Sequence, residues 1–464
     1  MEDDKNKGTE PNSEKEQKKE DNANSKKAYS GEQSSNKLSS DQIKNISRKI
    51  NRRIKFDFVF LSLFFKWSFI AFIVGIIGGL IGTAFRWSVT YASQFRTAHP
   101  NLIWLLPIGG LLIAFLYRTC KLNEYTGTNL IIDEIRTDRK VPFALAPLIF
   151  VSTFITHLLG GSAGREGAAL QLGGVIGHYV GRIFHLKQKS MSTVIICGMS
   201  AVFSALFGTP LTAAFFAMEV ISVGIMQYSA LFPSIVAALT AYKISLIFHS
   251  QPVFFELASV PDLGIKPMLQ TVILAALCAG VSIIFCITMH KTENILITKI
   301  HNDYIRNFSG GAAILLLTFL LGTRDYNGAG MDVIQRAMNG QADSFAFLLK
   351  ILFTAITIGS GFKGGEIVPA FFIGATFGCA AGKLLGMTPG FGAAIGLISV
   401  FCGAVNCPAA SIFLSYEIFG GKGLLFFAVA SSVSYVLSGY YGIYPSQRIV
   451  YSKYKAAFIN IHAR

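Results

Sequence analysis

Charge is scarce in this sequence. Of 464 residues only 14% are Asp, Glu, Lys or Arg, where an ordinary soluble domain carries about 25%, and 52% are hydrophobic. Much of the charge stands before residue 56, leaving long charge-poor tracts behind it. That balance excludes a soluble enzyme and predicts an all-α polytopic membrane protein of the plasma (inner) membrane. No CxxC pair occurs. The seven cysteines, at 120, 197, 278, 286, 379, 402 and 407, lie mostly in apolar runs and read as small packing residues instead of disulfides or metal ligands. No apolar core precedes Phe56, so no signal peptide is expected and the first span must direct its own insertion. A net charge of +15 comes without aromatic-basic interleaving, so nucleic acid is not an expected partner. Neither HExxH, nor a Gly-Lys-Ser/Thr phosphate cradle, nor a nucleophile-base constellation appears, so neither an enzyme nor a cofactor is expected.

What the sequence does hold is a glycine-rich turn between two apolar runs, Gly160-Gly161-Ser162-Ala163-Gly164-Arg165-Glu166-Gly167, and a second one two hundred residues later, Gly359-Ser360-Gly361-Phe362-Lys363-Gly364-Gly365-Glu366. In hydrocarbon every backbone N–H needs a partner, so irregular backbone at membrane depth is tolerated only inside protein or beside a polar cavity. Each turn feeds a new helix, and a helix N-terminus is a ready site for an anion. Anion handling is therefore the first functional expectation.

In chain order, residues 1 to about 41 are Lys-, Glu-, Asn- and Ser-rich and read as disordered. Gln42 to Phe56 carries six basic residues and no acid. It suits either an amphipathic helix on an anionic leaflet or a simple basic flank, and both put the N-terminus in the cytoplasm. Apolar runs follow at about 58–89, 102–117, 142–160, 167–183, 191–207, 210–223 and 229–248, then 267–289, 311–322, 345–358, 367–386, 390–405 and 409–438. Several fall short of the roughly 20 residues of a perpendicular span, which predicts tilted or broken helices. Asn123 to Leu130 is too polar for a lipid-facing helix. The sequence runs only twenty residues past Tyr444, which leaves no room for a cytosolic regulatory domain there.

The halves repeat. Tyr125-x-Gly127 returns as Tyr326-x-Gly328, Glu166 as Glu366, and Pro210 with Glu219 as Pro408 with Glu417. Such repeats mark transporter folds with a site at the repeat interface. The expected organisation is a tail over 1–55, a first repeat over 56–255 and a second over 256–464.

Glu166 is the leading candidate for chemistry. An acid within the membrane region is costly and usually functional or paired. At a helix N-terminus its ionised form competes with an anion for the same N–H groups, and protonation releases it, linking proton and anion movement; the alternative is a structural ion pair with Arg165. Glu366 is either a second proton acceptor or anion ligand, or a plain dipole-complementing acid. Thr128 and Tyr444 offer hydroxyls to a dehydrated anion, although interfacial anchoring is the default for a lone Tyr. Glu219 and Glu417, at equivalent positions, suggest a shared structural task. His157, His178 and His185 lack metal-ligand spacing and read as packing or interfacial.

With these residues placed, the chain resembles the CLC family of chloride channels and anion/proton antiporters over about residues 58–455. Gly164-Arg165-Glu166-Gly167-Ala168 stands at the family's GREGP signature. Gly198-Met199-Ser200-Ala201 through Pro210-Leu211 and Glu219 is similar to its next helix pair, and Tyr444 falls at its central tyrosine. Gly127-Thr128-Asn129-Leu130-Ile131 replaces GSGIP, Ala168 replaces a proline, Glu366 stands where the chloride branches are apolar, and Val220 stands where their antiporters carry an internal glutamate. These departures resemble the branch of bacterial fluoride/proton antiporters, while Thr128 is closer to the chloride branch's serine and Val368 lacks a hydroxyl of the fluoride branch.

The resemblance implies inverted halves, a homodimer, Glu166 as gate, Glu366 as second acid, and an anion site from Thr128, Asn129, Gly164, Arg165, Gly167, Gly365, Ile367, Val368 and Tyr444. The expected function is fluoride export in exchange for protons. The alternative is a chloride-selective channel or a chloride/proton antiporter.

Overall fold

The computed structural model describes residues 40–122, 127–137, 141–257 and 259–464. The tail expected to be disordered, apart from its last two residues, and most of the polar stretch before Gly127 lie outside them. The chain forms two compact units, Met1–Lys66 and Trp67–Arg464. In the first, the described backbone is helical from Ser40 onward, and Phe58, Val59 and Phe60 are exposed. The basic segment Gln42–Phe56 is thus the start of one unbroken helix, α1 (Ser40–Ala98).

In the second unit a short 3-10 turn, Pro100–Leu105, leads into α2 (Leu106–Thr119), followed by α3 (Gly127–Thr137), α4 (Leu145–Leu159), α5 (Glu166–Ile183), α6 (Gln188–Phe207), α7 (Pro210–Glu219) and α8 (Leu231–Ile247). The second series is α9 (Ile265–Lys299), α10 (Asp303–Leu321), α11 (Met331–Met338), α12 (Ala346–Gly359), α13 (Ile367–Leu384), α14 (Pro389–Val405), α15 (Pro408–Phe419) and α16 (Leu424–Leu437). Among the described residues seven helical segments are long and apolar enough to cross a membrane, and shorter apolar helices stand beside them. Burial sorts these segments: the Asp303–Leu321 span is 28% buried, with Phe319 and Leu320 turned outward, whereas the Ile367–Leu384 and Ser190–Phe207 spans are 78% and 83% buried. The last two are interior helices that carry no lipid-facing surface to speak of.

Close backbone contact builds that interior, and it occurs twice in the same way. A Cβ placed on Gly198 of α6 would strike the carbonyl of Gly173 in α5, and a Cβ on Gly396 of α14 would strike the carbonyl of Gly374 in α13. Small residues let helices approach this closely without a hydrophobic driving force between them. The two halves thus repeat in packing as well as in sequence.

Two elements differ from the sequence expectations. The apolar run 409–438 is broken into α15 and α16, because Gly420, Gly421 and Gly423 take left-handed φ values of 69°, 79° and 74°, a turn that other residues enter only with strain. A small three-stranded sheet joins the end of the chain to the first half. β1 (Ser222–Val223) runs parallel to β2 (Arg448–Tyr451), which pairs antiparallel with β3 (Phe458–His462). The register Ser222↔Arg448 and Arg448↔His462 fixes the segment just before it, which carries Tyr444.

Candidate anion site

The two glycine turns meet. Gly164 N–H donates to the Gly365 carbonyl at 2.6 Å, and Gly365 N–H donates to the Gly164 carbonyl at 2.8 Å, an antiparallel bridge between the halves. This arrangement satisfies the backbone that breaks each helix. Gly164 and Gly365, both expected at the anion site, thus commit their N–H groups to each other's carbonyls. His157, fully buried on α4, holds the same turn with Nε2 at 3.1 Å from the Gly164 carbonyl. Nothing in its spacing along the sequence marks that role.

Glu166 opens α5 and is 0% exposed. Its Oε2 accepts from the backbone N–H of Arg165 at 2.9 Å and from that of Val368 at 3.2 Å. Val368 lies in the first turn of α13, so the carboxylate of one half occupies the positive end of a helix of the other. The Arg165 guanidinium instead donates to Thr90 Oγ1 at 3.3 Å, and among the described residues it forms no ion pair with Glu166. Backbone N–H groups, and not a structural ion pair with Arg165, therefore hold the Glu166 carboxylate.

A cavity of about 140 Å³ lies next to this point, lined by Thr128, Ala168, Gln171, Glu366 and Tyr444 and continuing past His290, Glu293, Arg306 and Lys363. Glu366, the residue before α13, faces it with Oε2 lacking a hydrogen-bond partner, and Tyr444 Oη and Glu166 Oε1 are buried and equally partnerless. Buried polar atoms without a protein partner are rare in folded proteins and make this a place suited to a polar ligand. Thr128 Oγ1 donates to the Gly167 carbonyl at 3.3 Å, so in this arrangement its proton is engaged.

Three contacts bring Thr128 and Tyr444 together. Asn129 Oδ1 accepts from Ser446 N–H at 3.1 Å, Asp133 Oδ2 accepts from the Ser446 hydroxyl at 2.9 Å, and Arg136 donates to the Ser446 carbonyl at 2.7 Å. Asn129, expected as an anion ligand, is thus a tie between α3 and the C-terminal segment, although it also borders the cavity. Gln447 anchors the same segment by donating to the carbonyls of Val220 at 3.1 Å and Val405 at 2.9 Å. Ile367 and Val368 are buried at the start of α13.

Glu219 and Glu417 exchange tasks. Glu417 accepts from the backbone N–H groups of Leu211 and Thr212, both at 2.9 Å, and from the Thr212 hydroxyl at 2.6 Å, while Glu219 accepts from the N–H groups of Ala409 at 3.2 Å and Ala410 at 2.8 Å. Each caps the first turn of the partner helix, α7 or α15, where proline already fills one of the positions that need no donor. His178 is likewise structural, with Nδ1 at 2.8 Å from Glu134. The residues sequence reasoning passed over are the basic and acidic side chains of the outer cavity, His290, Glu293, Arg306 and Lys363. His290 and Glu293 share α9, while Arg306 lies on α10 and Lys363 follows α12, so no spacing groups all four.

Broken helices facing one another around a buried carboxylate are the architecture of a membrane ion transporter. Residues 109–439 match the model of the voltage gated chloride channel family. The chain is 35% identical over 400 residues to a chloride/fluoride channel protein of Pseudomonas syringae pv. tomato, across 84% of this chain and 88% of that one. The crystal structure of a CLC-type fluoride/proton antiporter superposes with a TM-score of 0.80 at 35% identity, covering 82% of this chain and 97% of the other. A slow cyanobacterial Cl⁻/H⁺ antiporter shares the fold, with a TM-score of 0.70 at 20% identity. This chain belongs to the CLC family of voltage gated chloride channels and related transporters.

Proposed function

We propose that this protein is a fluoride/proton antiporter that exports fluoride, with Glu166 as the gate and Glu366 as its partner acid. The observation that carries the reading is the Glu166 carboxylate on the Val368 N–H, fully buried at the start of α13. An ionised side chain there holds the place an anion would take. On protonation it becomes a weaker acceptor and leaves, so the anion enters as a proton arrives. Glu366 and Tyr444 present partnerless polar atoms toward the same place, ready to take a proton and to donate to an anion respectively. The named activities of the 35% identical relatives support fluoride as the ion.

The reciprocal contacts support repeats related by a two-fold axis, which makes every such contact come in pairs: Gly164 with Gly365, Glu219 with Ala410, Glu417 with Thr212; in this reading the halves are inverted, as in transporter folds with broken helices at the repeat interface. The first repeat would then run over 56–255 and the second over 256–464. The basic flank Gln42–Phe56 ahead of the first apolar run makes the N-terminus cytoplasmic in this reading. A homodimer with one pathway per subunit completes the reading.

A second reading is a chloride-selective channel. It rests on Val220, a buried aliphatic side chain beside the capping Glu219, and on the hydroxyl at Thr128. Liposomes loaded with fluoride or chloride, with anion efflux and proton uptake recorded together, separate the two. Fluoride efflux that drives protons inward supports the antiporter; rapid chloride efflux with no proton movement sinks it.

A further inference from the structure

The outer part of the cavity holds a charged group that the gate mechanism leaves unused. We propose that Glu293 of α9 is the proton-relay residue between the aqueous mouth and Glu366. This rests on the antiporter reading above.

Glu293 and Glu366 are the two carboxylates among the cavity's described lining residues. The site is built for Glu293 to be held in place. A Cβ on Gly359, at the end of α12, would lie 3.1 Å from the Glu293 backbone nitrogen and 3.2 Å from its Cα, so α9 and α12 touch at this point. Glu293 is half-buried, and among the described residues it forms no ion pair and no side-chain hydrogen bond. A carboxylate held by neither an ion pair nor a side-chain hydrogen bond, on the wall of a cavity that Glu366 also lines, stands open to the water of that cavity.

The groups around it explain why a relay is needed. From its own helix comes His290, whose Nε2 lies 2.8 Å from the Gly442 carbonyl. From the segment after α12 comes Lys363, whose Nζ sits 4.5 Å from the centroid of the Tyr117 ring. From α10 come Arg306 and the Asp303 with which it pairs. Two fixed cations lining one cavity draw an anion in and repel a hydronium ion from the same water. Glu293 adds to that wall a carboxylate, a group that can accept and hand on the proton those cations repel. An isolated carboxylate on a lipid-facing surface would have no such work.

The step balances without any further reactant. The O–H bond of protonated Glu293 breaks, the proton crosses water in the cavity, and an O–H bond forms on the Glu366 carboxylate. Glu293 is left as a carboxylate and regains a proton from bulk water at the mouth. A cavity of about 140 Å³ has room for several bridging waters.

The test uses the full-length protein in liposomes, with fluoride efflux and proton uptake recorded together at saturating fluoride across a range of pH on the cavity side. Glu293→Gln keeps the shape and loses the proton. Its proton uptake is expected to fall about tenfold or more near neutral pH, with fluoride efflux falling in step, and to recover as the pH at the mouth is lowered, because bulk protons then reach Glu366 directly. Glu293→Asp should restore the wild-type profile in large part. The proposal is overturned if Glu293→Gln shows wild-type proton uptake and pH profile, or if it changes only the fluoride concentration needed for half-maximal rate, since Glu293 would then shape the local field alone. If Glu293→Gln does not fold, the Asp variant decides: proton uptake lost in a folded Glu293→Asp protein overturns the relay. Wild-type protein that moves fluoride with no protons defeats the antiporter reading and the relay with it, and that failure shows in the wild type before any variant is made.

Discussion

Glu166 Oε2 sits 3.2 Å from the backbone nitrogen of Val368, a residue 202 positions further along the chain. A carboxylate from the first half thus closes the positive end of a helix in the second half. Removing it should expose that helix end to a free anion. Glu166→Ala is expected to bind fluoride more tightly, by up to about 30-fold, the equivalent of ~2 kcal/mol at a partly buried helix N-terminus. Calorimetric titration of purified protein measures this directly. An unchanged affinity would show that side chain and anion do not compete.

The same variants separate gating from mere occupancy. Glu166→Gln retains the length and polarity of the side chain but neither titrates nor carries charge. It should abolish proton uptake in the liposome assay, and continued coupled exchange in this variant rules out Glu166 as the coupling residue.

Tyr444 and Thr128 are expected to behave differently although both carry hydroxyls at the cavity. Among the described residues Tyr444 Oη has no hydrogen-bond partner, whereas the Thr128 hydroxyl donates to the Gly167 carbonyl. Tyr444→Phe should weaken anion binding about fivefold, the value of one ordinary hydrogen bond of ~1 kcal/mol. Thr128→Ala should weaken it less. The reverse order, measured in one titration series, would mean that the Thr128 hydroxyl rotates onto the anion.

The two capping glutamates differ in how many donors they satisfy. Glu417 takes three hydrogen bonds and Glu219 two. Replacing a cap by alanine costs roughly 0.5–2 kcal/mol. Glu417→Ala should therefore lower the thermal midpoint in detergent more than Glu219→Ala, with anion selectivity unchanged in both. A change of selectivity in either variant contradicts a purely structural task.

Close helix contact gives a further pair. Alanine at Gly198 or at Gly396 drives a methyl group into a carbonyl of the facing helix, and overpacking of this kind costs about 1–3 kcal/mol or more. Alanine at Gly280, where nothing lies within 4 Å of the added carbon, serves as the control. Equal yields of folded protein from all three variants would show that the glycines are not there for contact.

The sequence made the membrane class plain, because a chain with so few charges has nowhere else to place its apolar surface. It also showed two glycine turns ahead of new helices and the matched acids Glu166 and Glu366, since local backbone demands leave residue-type marks. Its run from 409 to 438 hid a break, as three glycines in an apolar stretch serve a turn or a packing face equally well. The residues around Gly164 looked like anion donors for the same reason: glycine types reveal an unusual backbone, and only the paired turn across the molecule reveals where its N–H groups point.

What the amino-acid order determined by itself was the solvent this protein lives in, the repeat, and the two acids that follow its glycine turns. What the tertiary structure decided was their mutual use. Contacts such as Glu166 with Val368 and Glu417 with Thr212, and the cavity that Glu293 and Glu366 both line, join residues far apart in the chain or on separate helices. Spacing along a chain encodes what neighbours within one helix can share, and a site assembled from several helix ends takes its geometry from how those helices are packed.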